Sequence, residues 1–159
     1  MEFKDIEELK RNGFVGFKTI AEMKNDCCRE LPGPGGVYLI VRPQNTQPQF
    51  LTVGSGGHFK GQDPNVSIDK LKANWVEDTC VLYIGKATSL KTRVSAYMSF
   101  GKGSNVGHWG GRLVWQLADS DQLLVAWKQT EEDPRQVEKD MIKEFRNQYG
   151  ARPFANLQS

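Results

Sequence analysis

Two tyrosines stand beside glycine in separate apolar runs, Gly36-Val37-Tyr38 and Tyr83-Ile84-Gly85, and the second run leads straight into Lys86 and a basic segment. Arg93 and Tyr97 are four residues apart, hence on one face of a helix, where a guanidinium can clamp a phosphate with a phenol beside it. The net charge of +2 conceals a segregation that supports this reading. From Thr79 to Ala118 there are five cations, Lys86, Lys91, Arg93, Lys102 and Arg112, and no carboxylate, whereas both flanks are slightly acidic. An anionic partner is the natural inference, although five charges spread this thinly also fit a solvated helix face. His108 lies in the same segment, either near a bound phosphate or packed by Trp109.

These residues need elements to hold them. The first thirty residues read as two short helices, the second opened by a capping box of Thr19 and Glu22. Leu31-Pro32-Gly33-Pro34-Gly35-Gly36 breaks any helix, and Val37 to Val41 follows as a buried strand. Residues 42 to 78, rich in Pro, Gly, Gln and Asn, form a surface excursion with one extra edge strand at most, near Phe50, and a brief helix capped by Ser67. Cys80 to Ile84 is a second strand ended by Gly85, and a helix capped at Thr88 or Ser89 runs to about Phe100. A further helix is predicted over Trp109 to Leu117, then a strand over Leu123 to Trp127. Asp133-Pro134 opens a last helix, with Val137, Met141 and Phe145 as its apolar stripe and Gly150 as its stop.

A chain of 159 residues is the size of one domain and can bury about 70% of its unfolded surface. With 38% apolar and 25% charged residues it matches an ordinary globule and not a disordered or fibrous chain. No run approaches the roughly 18 apolar residues of a membrane helix, and the first residues lack the apolar core of a secretion signal, so a cytoplasmic location is expected. Of three cysteines, Cys27 and Cys28 are adjacent, and no Cys or His pair has zinc spacing; reduced thiols without a role are the reading. His58 reads as a surface residue of the excursion, and Trp75, Trp109, Trp115 and Trp127 as core.

Taken in order, these motifs resemble the GIY-YIG nuclease family. Gly36-Val37-Tyr38 matches its first signature, Tyr83-Ile84-Gly85 its second, and the stretch from Val81 to Tyr97 is similar to the nuclease module at the N-terminus of the bacterial excinuclease C subunit. Glu138 matches the helical glutamate of the family, and Pro153-Phe154-Ala155-Asn156 its terminal proline and asparagine. The resemblance implies an α+β fold, a small central three-stranded antiparallel sheet flanked by helices. It divides the chain into an N-terminal helical extension, residues 1–30, and a nuclease domain, residues 31–159, with an insertion at about 42–78 between strands that the family usually joins by a tight hairpin.

The function so implied is a metal-dependent DNA endonuclease. Hydrolysis of a phosphodiester needs an activated water, a cation for the developing phosphorane charge and help for the leaving oxygen. The family implies that Tyr38 or Tyr83 takes the proton from water, Tyr38 being preferred, with Tyr97 in the neighbouring site. Arg93, helped by Lys86, steadies the phosphate, Glu138 holds Mg²⁺ or Mn²⁺, and Asn156 positions neighbouring groups. With a phenol pKa near 10 only about one tyrosine in a thousand is ionised at pH 7, and Lys86 and Arg93 are expected to improve that fraction. Lys86, Lys91, Arg93, Lys102, His108 and Arg112 are the candidate contacts to nucleic acid, and a protein partner is a possible source of specificity. The alternative is a non-cleaving nucleic-acid-binding or protein-interaction module on the same fold.

Overall fold

The structure, a computed structural model, describes residues 1–26 and 29–157; Cys27 and Cys28 lie outside the described residues. Four strands, β1 (Val15–Thr19), β2 (Gly36–Val41), β3 (Val81–Ala87) and β4 (Leu124–Gln129), form one antiparallel sheet in the order β1-β4-β2-β3. Helices α1 (Ile6–Arg11), α2 (Ile20–Asp26), α3 (Ile68–Asn74), α4 (Leu90–Gly101) and α5 (Pro134–Tyr149) surround it. Among the described residues no helix is long and apolar enough to cross a membrane.

Every residue of β2 is buried, as expected of a central strand covered on both faces. Tyr38 and Ile40 join the core that contains Leu90, Val94 and Phe100 of α4, while Val37, Leu39 and Val41 join the one containing Met141, Ile142 and Phe145 of α5. Asp133 caps α5 by accepting from the Arg135 amide, Pro134 opens it, and Gly150 at φ 71° ends it, all as the sequence predicts. Ser89 likewise caps α4, accepting from the Thr92 amide. The second strand does not stop at Gly85 but continues to Ala87, so Lys86 is a strand residue paired with Val37.

The sheet has four strands where the sequence predicts three. The extra strand, β1, lies in the N-terminal stretch that reads as two helices. Its apolar alternation is limited to Val15 and Phe17, interrupted by Gly16, and Val15 and Gly16 are exposed, so periodicity is too short to mark it. Its cause is the open edge of β4, to which it pairs from Val15–Trp127 to Thr19–Leu124, with a bulge at Phe17. Gly16 sits at φ 95° in that bulge, and a Cβ there would lie 2.3 Å from the Trp127 ring. The capping interaction holds in part: the Glu22 amide donates to Thr19 Oγ1 at 3.1 Å.

Residues 109–117 are not an α-helix either. Arg112–Gln116 is a short 3₁₀ turn, and Gly111 ahead of it lies so close to Tyr97 that a Cβ there would meet the phenol oxygen at 2.5 Å. This turn anchors residues 42–78. Gln116, 1% exposed, donates through Nε2 to the carbonyls of Leu51 and Val66, at 3.0 and 2.9 Å, and accepts the Val66 amide at 2.9 Å. The extra edge strand near Phe50 reduces to a single bridge with Leu117. Ser67 caps α3 as predicted, and Leu71 is the one fully buried residue of that helix. Gln116→Leu leaves three backbone groups without partners, at about 1–3 kcal/mol for each that stays buried. It should lower Cm in urea unfolding and expose residues 50–66 to limited proteolysis before the rest of the chain; an unchanged digestion pattern would refute the anchoring role.

Candidate active site

β3 is an edge strand, and its outer side is closed by the C-terminal segment. The Ala155 amide donates to the Leu82 carbonyl at 2.8 Å. Asn156 then imitates a peptide unit: its Oδ1 accepts the Ile84 amide and its Nδ2 donates to the Ile84 carbonyl, both at 2.9 Å. Beyond this seam opens a cleft of about 900 Å³ whose lining includes Tyr83, Lys86, Arg93, Arg112, Glu138 and Asn156. Residues from two strands' length of separation thus meet, as the motif order implies. Lys91, exposed on the first turn of α4, and Lys102, just beyond its last, do not line it.

Glu138 occupies the buried stripe of α5 itself, in line with Met141, Ile142 and Phe145, and is 9% exposed. Its carboxylate pairs with Lys86 Nζ at 3.6 Å. Burial raises its pKa above the usual carboxylate value, with Lys86 opposing. Arg93 reaches across to donate to the Gly107 carbonyl at 2.7 Å, which fixes the guanidinium at the cleft wall.

Tyr38, Tyr97 and His108 do not reach the cleft. Tyr38 is 1% exposed, and Tyr97 and His108 are fully buried. Gly85 faces Tyr38 in the β2–β3 register, and a Cβ at 85 would come within 2.3 Å of the phenol ring. Tyr97 donates to the Gly111 carbonyl at 2.7 Å, and the His108 ring stacks on it at 3.8 Å and 9°. The placement of His108 against a bound phosphate is therefore corrected: it is a core group, sealed between Tyr97 and Tyr38. The placement of the Tyr97 phenol beside a phosphate falls for the same reason.

Tyr38 Oη and His108 Nε2 are hydrogen-bonded at 2.6 Å, while His108 Nδ1 is buried without a partner. An orphan lone pair costs less than an orphan N–H, so Nε2 carries the proton and donates to Tyr38. The Tyr38 hydroxyl is then free to donate to Tyr83, an interaction that draws the Tyr83 pKa down. Tyr83, its ring centroid 6.0 Å from that of Tyr38 and 8% exposed, is among the described residues the phenol that borders the cleft.

The expectation that cations make the phenols acidic is also corrected. Burial pushes Tyr83 up to about 12, the Glu138 charge adds to this, and the Tyr38 hydrogen bond and Arg93 oppose it. Tyr38 and Tyr97 rise further, burial again leading. Desolvation of a whole ring outweighs one cation that itself faces solvent. Sequence reading also missed Lys70, Arg146 and Arg152 on the cleft lining; they lie outside the carboxylate-free segment, and nothing in their spacing sets them apart. Trp75 and Trp109 border the cleft as well and are only partly buried.

Burial lowers the His108 pKa to about 3, against an unfolded value near 6.5. The folded state keeps the ring neutral, so its stability is lost as pH falls below the unfolded value. Between pH 7 and pH 5 the loss is about 2 kcal/mol. Urea unfolding of wild type and His108→Gln at both pH values should show that difference in the wild type alone; an equal difference in both proteins would locate the acid sensitivity elsewhere.

The family described as "UvrC-like GIY-YIG domain" matches residues 74–151. That span holds Tyr83, Lys86, Arg93, Tyr97 and Glu138 and leaves Gly36-Val37-Tyr38 and Asn156 outside. No curated protein and no solved structure matches the chain. Geometry and comparison meet on one half of the molecule, where β3, α4 and α5 place a phenol, two cations and a carboxylate around one cleft, and over this half the chain is similar to the GIY-YIG module, a nuclease domain, of the excinuclease C type.

Proposed function

We propose that the protein is a metal-dependent endonuclease that hydrolyses phosphodiester bonds in DNA, with its active site in the cleft along β3. The observation that carries this reading is the convergence of Tyr83, Lys86, Arg93 and Glu138 on one cleft, beside Asn156. Arg93, held by Gly107, supplies a directed donor pair for the non-bridging oxygens of a phosphate. Tyr83 is the proton acceptor, since it borders the cleft while Tyr38 stands behind it and orients it. In the minor fraction of molecules whose Tyr83 has lost its proton to solvent, water attacks phosphorus, a P–O bond forms as the bond to the leaving sugar oxygen breaks, one water proton passes to the phenolate, and the leaving oxygen takes a proton from solvent.

The donor set fits a hard divalent cation such as Mg²⁺ or Mn²⁺. Among the described residues Glu138 is the only carboxylate on the lining, and Mg²⁺ commonly takes one carboxylate, waters and substrate phosphate. Glu138 would hold such a cation, which when bound would offset the charge that raises Tyr83 and neutralise charge developing on the phosphate. Asn156 keeps β3 in place and so sets where Tyr83 sits.

A plasmid-nicking assay with Mg²⁺, Mn²⁺ and EDTA tests the assignment. Glu138→Gln and Arg93→Ala should abolish nicking; Glu138→Gln should not lower Tm, because it removes a charge that burial disfavours. Glu138→Gln protein that cuts at the wild-type rate refutes the assignment, and wild type that binds DNA without cutting it favours the non-cleaving module. Tyr83→Phe should cost about 10²–10⁴-fold. With the phenol near 12, the logarithm of the wild-type rate should climb with slope near one from pH 7 to 9, and a flat profile would exclude Tyr83 as the base.

A further inference from the structure

The cleft is wider than the catalytic set requires, and its charge is one-sided. Besides Glu138 its lining carries Lys70, Lys86, Arg93, Arg112, Arg146 and Arg152. Lys86 is taken by Glu138, and Arg112 lies over the Trp109 ring at 4.5 Å. Among the described residues no carboxylate pairs with Lys70, Arg146 or Arg152. Like charges gathered from three separate segments without counter-ions repel one another, an arrangement that favours an anion between them.

One of those segments is the 42–78 excursion. Lys70, Ala73 and Asn74 of α3 all line the cleft, the i, i+3, i+4 spacing of a single helix face with a small residue at its centre. Leu71 fixes the back of α3, being fully buried, and Trp75 fixes its end at the cleft border, packing on Phe50 and Phe154 with centroids 5.9 and 5.1 Å apart. The face is therefore presented by a braced helix and not by a loose loop. Arg146 projects from the last turn of α5, and Arg152 from the segment that leads to Asn156, where its Nη1 donates to the Leu157 carbonyl at 2.9 Å.

Resting on the nuclease reading above, we infer that α3 is a second wall of the nucleic-acid cleft, on which Lys70, with Arg146 and Arg152, holds backbone phosphates other than the one at Arg93. The ligand is a polynucleotide backbone that continues through the site on either side of the scissile bond. The 42–78 insertion is on this view a substrate-gripping device, and Asn74 is its polar contact next to Lys70. A hollow of about 510 Å³ that shares Lys86 and Arg93 with the cleft adjoins it, its far side carrying both Arg135 and Asp133.

Binding is tested on Glu138→Gln protein in EDTA, with labelled duplex DNA, single-stranded DNA and RNA of one sequence, from 50 to 200 mM salt. Adding Lys70→Ala, Arg146→Ala and Arg152→Ala should flatten the slope of log K against log[salt] by about 0.9 per cation on a duplex, about 2.7 in all. The double change at the exposed Lys70 and Arg146 should flatten it by about 1.8 and guards against a folding defect at Arg152. Lys143→Ala, an exposed cation of α5 off the cleft lining, should leave the slope alone. In the cleaving protein the triple change should raise KM and spare kcat. The polymer on which the slope falls identifies the backbone bound. No fall on any of the three, or an equal fall in Lys143→Ala, overturns the inference; cleavage surviving in Glu138→Gln would instead sink the nuclease reading and leave the slopes interpretable.

Discussion

The contact on which the rest of the structure depends is that of the Tyr38 ring with the backbone of Gly85. The β2–β3 register places the two opposite each other at a separation that admits no side chain at 85. Tyr38 then supports Tyr83, holds His108 at 2.6 Å and through it the loop that follows α4. That loop supplies the Gly107 carbonyl that binds Arg93 and the Gly111 carbonyl that binds Tyr97. A steric fact about one glycine is in this way passed on to a guanidinium at the cleft wall.

Burial, more than charge, governs the ionisable groups around that contact. Three phenols and an imidazole share a volume from which water is excluded, and each is held in its neutral form. Glu138 is shifted the same way despite its lysine. A site assembled so has neutral aromatic groups on its floor, one carboxylate held by Lys86, and cations on its rim.

The strands that bear the tyrosines, and α4 and α5, were legible in the sequence because each has a local cause: an unbroken apolar run, or a cap with a stripe at helical spacing. β1 was not, because what makes it a strand is the edge of β4, more than a hundred residues away in the chain. The turn at 112–116 was misread as α-helix because Leu113 and Leu117 keep helical spacing while Gly111 is confined by a ring that no local window contains. At the site, Tyr83, Lys86, Arg93, Glu138 and Asn156 were found by the order of their motifs. The burial of Tyr38, Tyr97 and His108 had no such signal, since a sequence names an aromatic residue without saying which side of it meets water. Lys70 was hidden by its setting, a polar stretch whose other charges are simply solvated.

Asn156 has one more consequence. Its amide works because it offers a donor and an acceptor side by side, matched to the carbonyl and amide of Ile84. Slow spontaneous deamidation, a general ageing reaction of asparagine, would replace that donor with a second acceptor facing the Ile84 carbonyl. Two oxygens would then repel where a bond had been, and the border of the sheet would come loose beside Tyr83. The border of the sheet thus rests on the chemistry of a single amide.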